Sequence, residues 1–319
     1  MPKLLFIDAN IWLDFYRGKS EAALDLLRHI ETVGDRLIVT YQLEMEYKKN
    51  RQVAILDGMK VLTPAPPLTR LGVFSDAKEL AAEQRAAKQA HGRVTKLKKR
   101  LLRILEKPTT HDEVYKVIQR LFHRDSPVVL TPDNPVRRKI RSRAWRRFLM
   151  GYPPRKASDT SFGDAINWEW MIECCNSRAA ELVIVSRDSD YGIDHNNVAY
   201  INDFLRHEFS DRVSQKRVVV LCRRLSEALK HFEVAVTEAE EKEESALITS
   251  SNTAKSSSGE GRLNSFLQSH VAGNPATLGM DPSGLVTLRS LLDILGDSVF
   301  DKSLSELRIS TASEADKKT

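Results

Sequence analysis

Residues 3–7, KLLFI, form a short continuous apolar run that stops at Asp8. A run of that length without alternation fits a strand buried on both faces, the kind found in parallel sheets. The pattern then changes period. Ala23, Leu24, Leu26, Leu27 and Ile30 recur at helical spacing behind Ser20, a residue suited to an N-cap. Gly34-Asp35 breaks that helix, residues 36–39 read as a second strand, and Glu44 falls near the start of the helix that follows. A Pro-rich stretch covers 63–73. Beyond it the spacing predicts one long polar helix over 76–106, with Leu97, Leu101 and Leu105 on a stripe, and a shorter helix over 112–123.

The strand–helix alternation returns after Gly151-Tyr-Pro-Pro154. Phe162-Gly163-Asp164 opens a helix running to about Cys175, in which Trp168 and Trp170 read as packing residues. ELVIVS (181–186) and RVVVL (217–221) are further buried strands, and a helix follows near 224–232. Strands alternating with helices predict an α/β fold of three layers around a mainly parallel sheet. The expected divisions are one domain over 1–235 with an insertion at about 75–150, and an acidic, Ser/Gly-rich flexible linker over 236–261. A small helical segment over 262–319 would follow, including an amphipathic helix at 284–295.

Composition changes this picture little. In 319 residues, 41% hydrophobic and 29% charged positions are those of a soluble globular protein. No run of about 18 apolar residues offers a membrane span, and LLFI is too short for a secretory leader. Three cysteines, two of them adjacent at 174 and 175, make neither a disulfide framework nor a zinc spacing, so a reduced, cytoplasmic setting is expected. His91, His111 and His123 have no zinc spacing either.

Charge changes it more. Between 85 and 147 there are 19 Lys/Arg against 5 Asp/Glu, while the whole chain carries only +6. The insertion is therefore strongly basic and the remainder acidic, which points to an anionic partner. Lys98, Lys99, Arg100, Arg137, Arg138, Lys139, Arg141, Arg143, Arg146 and Arg147, with Trp145 among them, combine cations with an aromatic as nucleic-acid contacts do. A polar helix of this kind can also be a solvated face whose long side chains snorkel.

The acidic chemistry lies at strand ends. Asp8 follows the first strand, Glu44 the second and Asp188 the third, while Asp164 sits at a helix start, where the dipole favours a carboxylate. Two such charges about 4 Å apart repel by roughly 4 kcal/mol at an effective dielectric near 20, so gathered acids call for a shared proton or a divalent cation. Oxygen ligands select Mg²⁺ or Mn²⁺, and such a site suits phosphoryl chemistry. Each acid also has a plainer reading. Glu44 can pair with Lys48 at i,i+4, and Glu46 competes with it; Asp190 competes with Asp188.

DANIWLDFYR at 8–17, TYQLEMEY at 40–47, FGDAINW at 162–168 and SRDSDYG at 186–192, in this order, resemble the PIN-domain ribonucleases. That family is related in fold to flap-endonuclease-like nucleases and includes the VapC-type toxins. The resemblance covers roughly 1–75 and 150–230; the insertion and the tail depart from it. It implies a metal-dependent endoribonuclease whose Asp8, Glu44, Asp164 and Asp188, with Asp190 as a rival, hold Mg²⁺ or Mn²⁺. Asn10 would buttress Asp8, and Ser186 the Asp188 loop. In-line hydrolysis would leave a 5′-phosphate and a 3′-hydroxyl. RNA stands ahead of DNA as partner, and a DNA- or flap-directed nuclease or an incompetent nucleic-acid-binding scaffold are the alternatives. A toxin or anti-phage effector is the implied setting. The C-terminal segment is a candidate contact for a protein partner or a second copy.

Overall fold

The apolar runs become a sheet. In a computed structural model that describes residues 1–249 except 19, 64–65, 67–77, 156–160 and 197, the strands are β1 (Lys3–Ile7), β2 (Leu37–Thr40), β3 (Val129–Leu130), β4 (Glu181–Val185), β5 (Gly192–His195), β6 (Val198–Ile201) and β7 (Val219–Cys222). Five of them form one parallel sheet in the order β3-β2-β1-β4-β7. Leu4–Ile7 and Leu182–Val185 are all buried, as central strands covered on both faces must be. Strands β5 and β6 pair as a separate antiparallel hairpin.

The helices are α1 (Ala9–Asp14), α2 (Glu21–Thr32), α3 (Tyr41–Val61), α4 (Lys78–Glu106), α5 (Pro108–His111), α6 (Glu113–Phe122), α7 (Arg137–Met150), α8 (Gly163–Arg178), α9 (Asp203–Arg212), α10 (Leu225–Lys230) and α11 (238–249). Helices flank the sheet, so the expected α/β architecture is present. Trp12, Trp168 and Tyr47 lie fully buried in the core, as does Met171. Cys174, Cys175 and Cys222 are buried free thiols, each pushed up in pKa by burial. Among the described residues no helix is long and apolar enough to cross a membrane.

The long helix expected over 76–106 is α4, and it contains no buried residue. Its Leu97 is exposed, and Leu101 and Leu105 are half-buried. Helix α4 is fastened at its C-terminal end. Arg51 of α3 forms a buried ion pair with Asp112, the N-cap of α6, and donates to the Ile104 carbonyl at 2.9 Å. Tyr16 joins them, 2.9 Å from Asp112 Oδ2.

The stretch expected to begin a flexible linker at 236 is instead ordered as α11. Glu244 accepts from the backbone N–H groups of Leu225 and Ser226 at the start of α10, the latter at 3.0 Å. Glu240 meets His29 at 2.9 Å, and Glu241 pairs with Lys230. The acidic run thus finds helix ends and cations, and Leu247 is buried beside it. One compact unit runs Met1–Leu247. The Ser/Gly-rich tract from 250, the stretch 284–295 where a helix is expected and the rest of the C-terminal segment lie outside the described residues.

Candidate active site

Parallel sheets bind ligands beyond the carboxyl ends of their strands, at the point where the strand order reverses. Here β2 lies on one side of β1 and β4 on the other, so that point falls between β1 and β4. Asp8 emerges there, its N–H donating to the Val185 carbonyl at 2.9 Å. Its side chain is 3% exposed and held at both oxygens. The Ala9 N–H donates to Oδ1 at 2.6 Å, while Asn10 Nδ2 (3.0 Å) and Ser186 Oγ (2.6 Å) donate to Oδ2. Ser186 Oγ also accepts from the Asp188 N–H at 3.1 Å, tying the loop after β4 to the acid after β1. Burial raises the Asp8 pKa, and the charges of Asp188 and Glu46 raise it further. Against the bonds from Ser186 and Ala9, it reaches about 7.

Thr40 places the next acid. At the end of β2 its hydroxyl accepts from the Leu43 N–H at 2.9 Å, capping α3, and donates to Asn167 Oδ1 of α8 at 2.6 Å. This fixes the start of α3 against α8. Glu46 then reaches the site, its Oε1 accepting from Gln42 Nε2 at 3.0 Å. Asp164 comes from the first turn of α8. Oxygens of Asp8, Glu46 and Asp164 all lie within 4.8 Å of one another. Gly163 makes this approach possible: a Cβ there would stand 2.5 Å from Glu46 Oε1 and 2.6 Å from Gln42 Nε2.

Glu44 points elsewhere. Two residues along a helix is a rotation of about 200°, so Glu44 and Glu46 do not share a face. Lys48 Nζ lies 2.6 Å from Glu44 Oε1 and His123 Nε2 2.8 Å. Burial alone would raise the Glu44 pKa, but these two partners outweigh it and hold the carboxyl below the usual range. The plainer reading of Glu44, the i,i+4 pair with Lys48, is the one seen. Asp188 is half-buried and Asp190 buried. Asp188 raises the Asp8 pKa; burial pushes the Tyr191 hydroxyl well up, and the charges of Asp164, Asp8, Glu46 and Asp190 push it further.

Gln42, Thr40, Asn167 and Gly163 were not among the expected site residues. The i,i+4 spacing of Gln42 and Glu46 was the one signal available for the first of them.

The basic candidates divide. Lys99 and Arg100 of α4 and Arg138, Lys139, Arg141, Trp145 and Arg146 of α7 are exposed, while Lys98, Arg137 and Arg143 are half-buried. Arg143 lies 2.8 Å from Glu173, and Lys139 lies 3.7 Å from it. Arg147 does not fit the expectation of a nucleic-acid contact. It is 4% exposed, pairs with Glu169 at 3.0 Å and with Glu208, and donates to the Pro153 carbonyl. It sits on the same inward face of α7 as Ile140 and Ala144, and burial of a guanidinium there requires these acids.

Three carboxylates from three elements would repel by about 3–4 kcal/mol per pair at this separation and an effective dielectric near 20. A hard divalent cation removes that repulsion, and an all-oxygen donor set is what such a cation prefers. The residues present therefore fit a divalent metal.

A family model described as a PIN domain matches residues 5–191. No curated protein and no solved structure matches the chain.

Proposed function

Because the chain belongs to the PIN-domain family of nucleases, we propose that it is a metal-dependent endoribonuclease whose site is Asp8, Glu46 and Asp164, with Asp188 as the fourth acid. The meeting of three carboxylates within 4.8 Å at the strand ends carries this reading. Glu46 takes the position that the sequence pattern offered to Glu44. Asp188 is preferred to Asp190 because its charge is felt at Asp8 and its N–H is bonded to the serine that holds Asp8. The bound ion, Mg²⁺ or Mn²⁺, would activate water and neutralise charge on the phosphodiester.

The chain's own residues do the rest. Ser186, Asn10 and the Ala9 N–H fix both oxygens of Asp8, so its lone pairs are aimed before any ligand arrives. Gln42 does the same for Glu46. Between Arg85 and Arg103 the exposed helix α4 carries eight Lys/Arg and no acid, a surface suited to phosphate capture. A role as toxin or anti-phage effector rests on the family alone.

The test is cleavage of matched single-stranded RNA, single-stranded DNA and flap substrates by the full chain with Mg²⁺, Mn²⁺ or EDTA. Asp164→Asn and Glu46→Gln are expected to lower RNA cleavage by about a hundredfold or more, the loss of several kcal/mol of transition-state stabilisation. Glu44→Gln should stay within about threefold, as for a partly exposed ion pair. Cleavage that survives EDTA, or a Glu44→Gln loss larger than that of Glu46→Gln, would overturn the site. Exclusive cleavage of DNA would overturn the substrate.

A further inference from the structure

Helix α7 presents two faces of different chemistry. Ile140, Ala144 and Arg147 turn inward. Arg138, Arg141, Ser142 and Trp145, at i, i+3, i+4 and i+7, share the opposite face, and with Phe162 they line one open groove. Trp145 is 48% exposed, whereas Trp12 and Trp168 are 0% and Trp170 is 5% exposed. A single exposed aromatic is ordinary at a folded surface; it marks a ligand site only where its surroundings give it a function.

Its surroundings supply one. The Trp145 ring stacks on Phe148, with centroids 5.7 Å apart, and meets Phe162 edge-on at 5.6 Å. Phe162 is the N-cap residue of α8, two positions before Asp164. At the other end of the helix Arg137 lies over the ring of Tyr41, the first residue of α3, which carries Glu46. The exposed face of α7 therefore starts and finishes beside the two helices that deliver acids to the site.

Resting on the nuclease reading, we propose that this face is a stacking platform for a single-stranded segment of the RNA substrate, with a base on Trp145 and phosphates on Arg138 and Arg141. A duplex keeps its bases stacked on each other and offers no free π-face, so the platform selects unpaired strands. It also sets where the strand is held relative to Asp164, through Phe162. Trp145 is thus a positioning and specificity residue.

The test is equilibrium binding of the full chain to oligo(U) of 12 nucleotides and to a 12-base-pair RNA duplex, in EDTA so that no cleavage intervenes. Labelled-oligonucleotide anisotropy gives affinity and intrinsic tryptophan fluorescence gives stacking. The single strand should quench the emission. Trp145→Ala should weaken its binding by about ten- to a hundredfold, the usual worth of one base–aromatic stack. Trp145→Phe should hold affinity within about threefold yet abolish the quench, since the three remaining tryptophans are buried. Arg138→Ala and Arg141→Ala should each lower the log–log salt slope by about 0.7.

A Trp145→Ala affinity within twofold of the parent, a quench that persists in Trp145→Phe, or equal binding of the duplex would overturn the platform. Oligo(dT) bound more tightly than oligo(U) would overturn the choice of RNA. Trp145-dependent binding of RNA without cleavage in Mg²⁺ would leave the platform standing and sink the nuclease reading instead.

Discussion

A carboxyl whose pKa is pushed up to about 7 binds a cation in competition with a proton, and Asp8 is such a group. Below pH 7 each metal ion bound displaces that proton. Apparent affinity for Mn²⁺ is therefore expected to rise by about tenfold per pH unit from 5.5 towards 7 and then level off. The metal-free protein should show the converse in its stability. The folded-state pKa lies above the ordinary aspartate value of 3.8, so the protonated acid favours the folded state fully below that value. The benefit is lost as pH rises through 7, about 4 kcal/mol over the whole range. Calorimetric titration and thermal melts in EDTA check both trends, and Asp8→Asn should remove them. An affinity flat between pH 5.5 and 7 would contradict the assignment. Asp8 and Asp164 could be read from the sequence because strand ends and helix starts are visible there. Glu46 could not be separated from Glu44, because the choice depends on which face of α3 meets Gly163, a contact between residues more than a hundred positions apart.

Whole elements show the same limit. RRKIRSRAWRR reads as one basic block, yet the 3.6-residue period divides it into a surface and a buried network. Arg147 belongs to the network, with Glu169, Glu208 and Arg212; Arg212 lies 2.7 Å from both acids. Burial would raise the Glu169 pKa, but the arginines win and hold it low. Arg147→Ala leaves these acids short of a cation and is expected to cost about 3–5 kcal/mol in urea denaturation. Arg138→Ala, on the outer face, should stay within about 0.5 kcal/mol. Equal effects would refute the division. Other elements escaped the sequence for plain reasons. Strand β3 is two residues long, and β5 and β6 are four each and largely exposed, so neither period 2 nor an apolar run could mark them.

At the scale of the molecule, the parallel sheet and its four longer buried strands were legible as apolar runs, but the end of the folded unit was not. An acidic run without partners solvates itself; this one has partners. Shortening the chain to end at 235 removes Glu244 from the first turn of α10 and Leu247 from its buried position. That is expected to cost about 3–5 kcal/mol relative to a chain ending at 249, from two lost capping bonds and one buried leucine. Chemical denaturation of the two chains decides it, and coincident midpoints would make α11 dispensable.

Helix α4 rises about 1.5 Å per residue, so the eight cations from Arg85 to Arg103 are spread over about 27 Å of axis. That is one positive charge per about 3.9 Å, close to the phosphate interval of about 3.4 Å along a single stacked strand. The helix thus matches the linear charge density of one polynucleotide strand over roughly eight nucleotides. A duplex presents twice that density and would be only half neutralised by it.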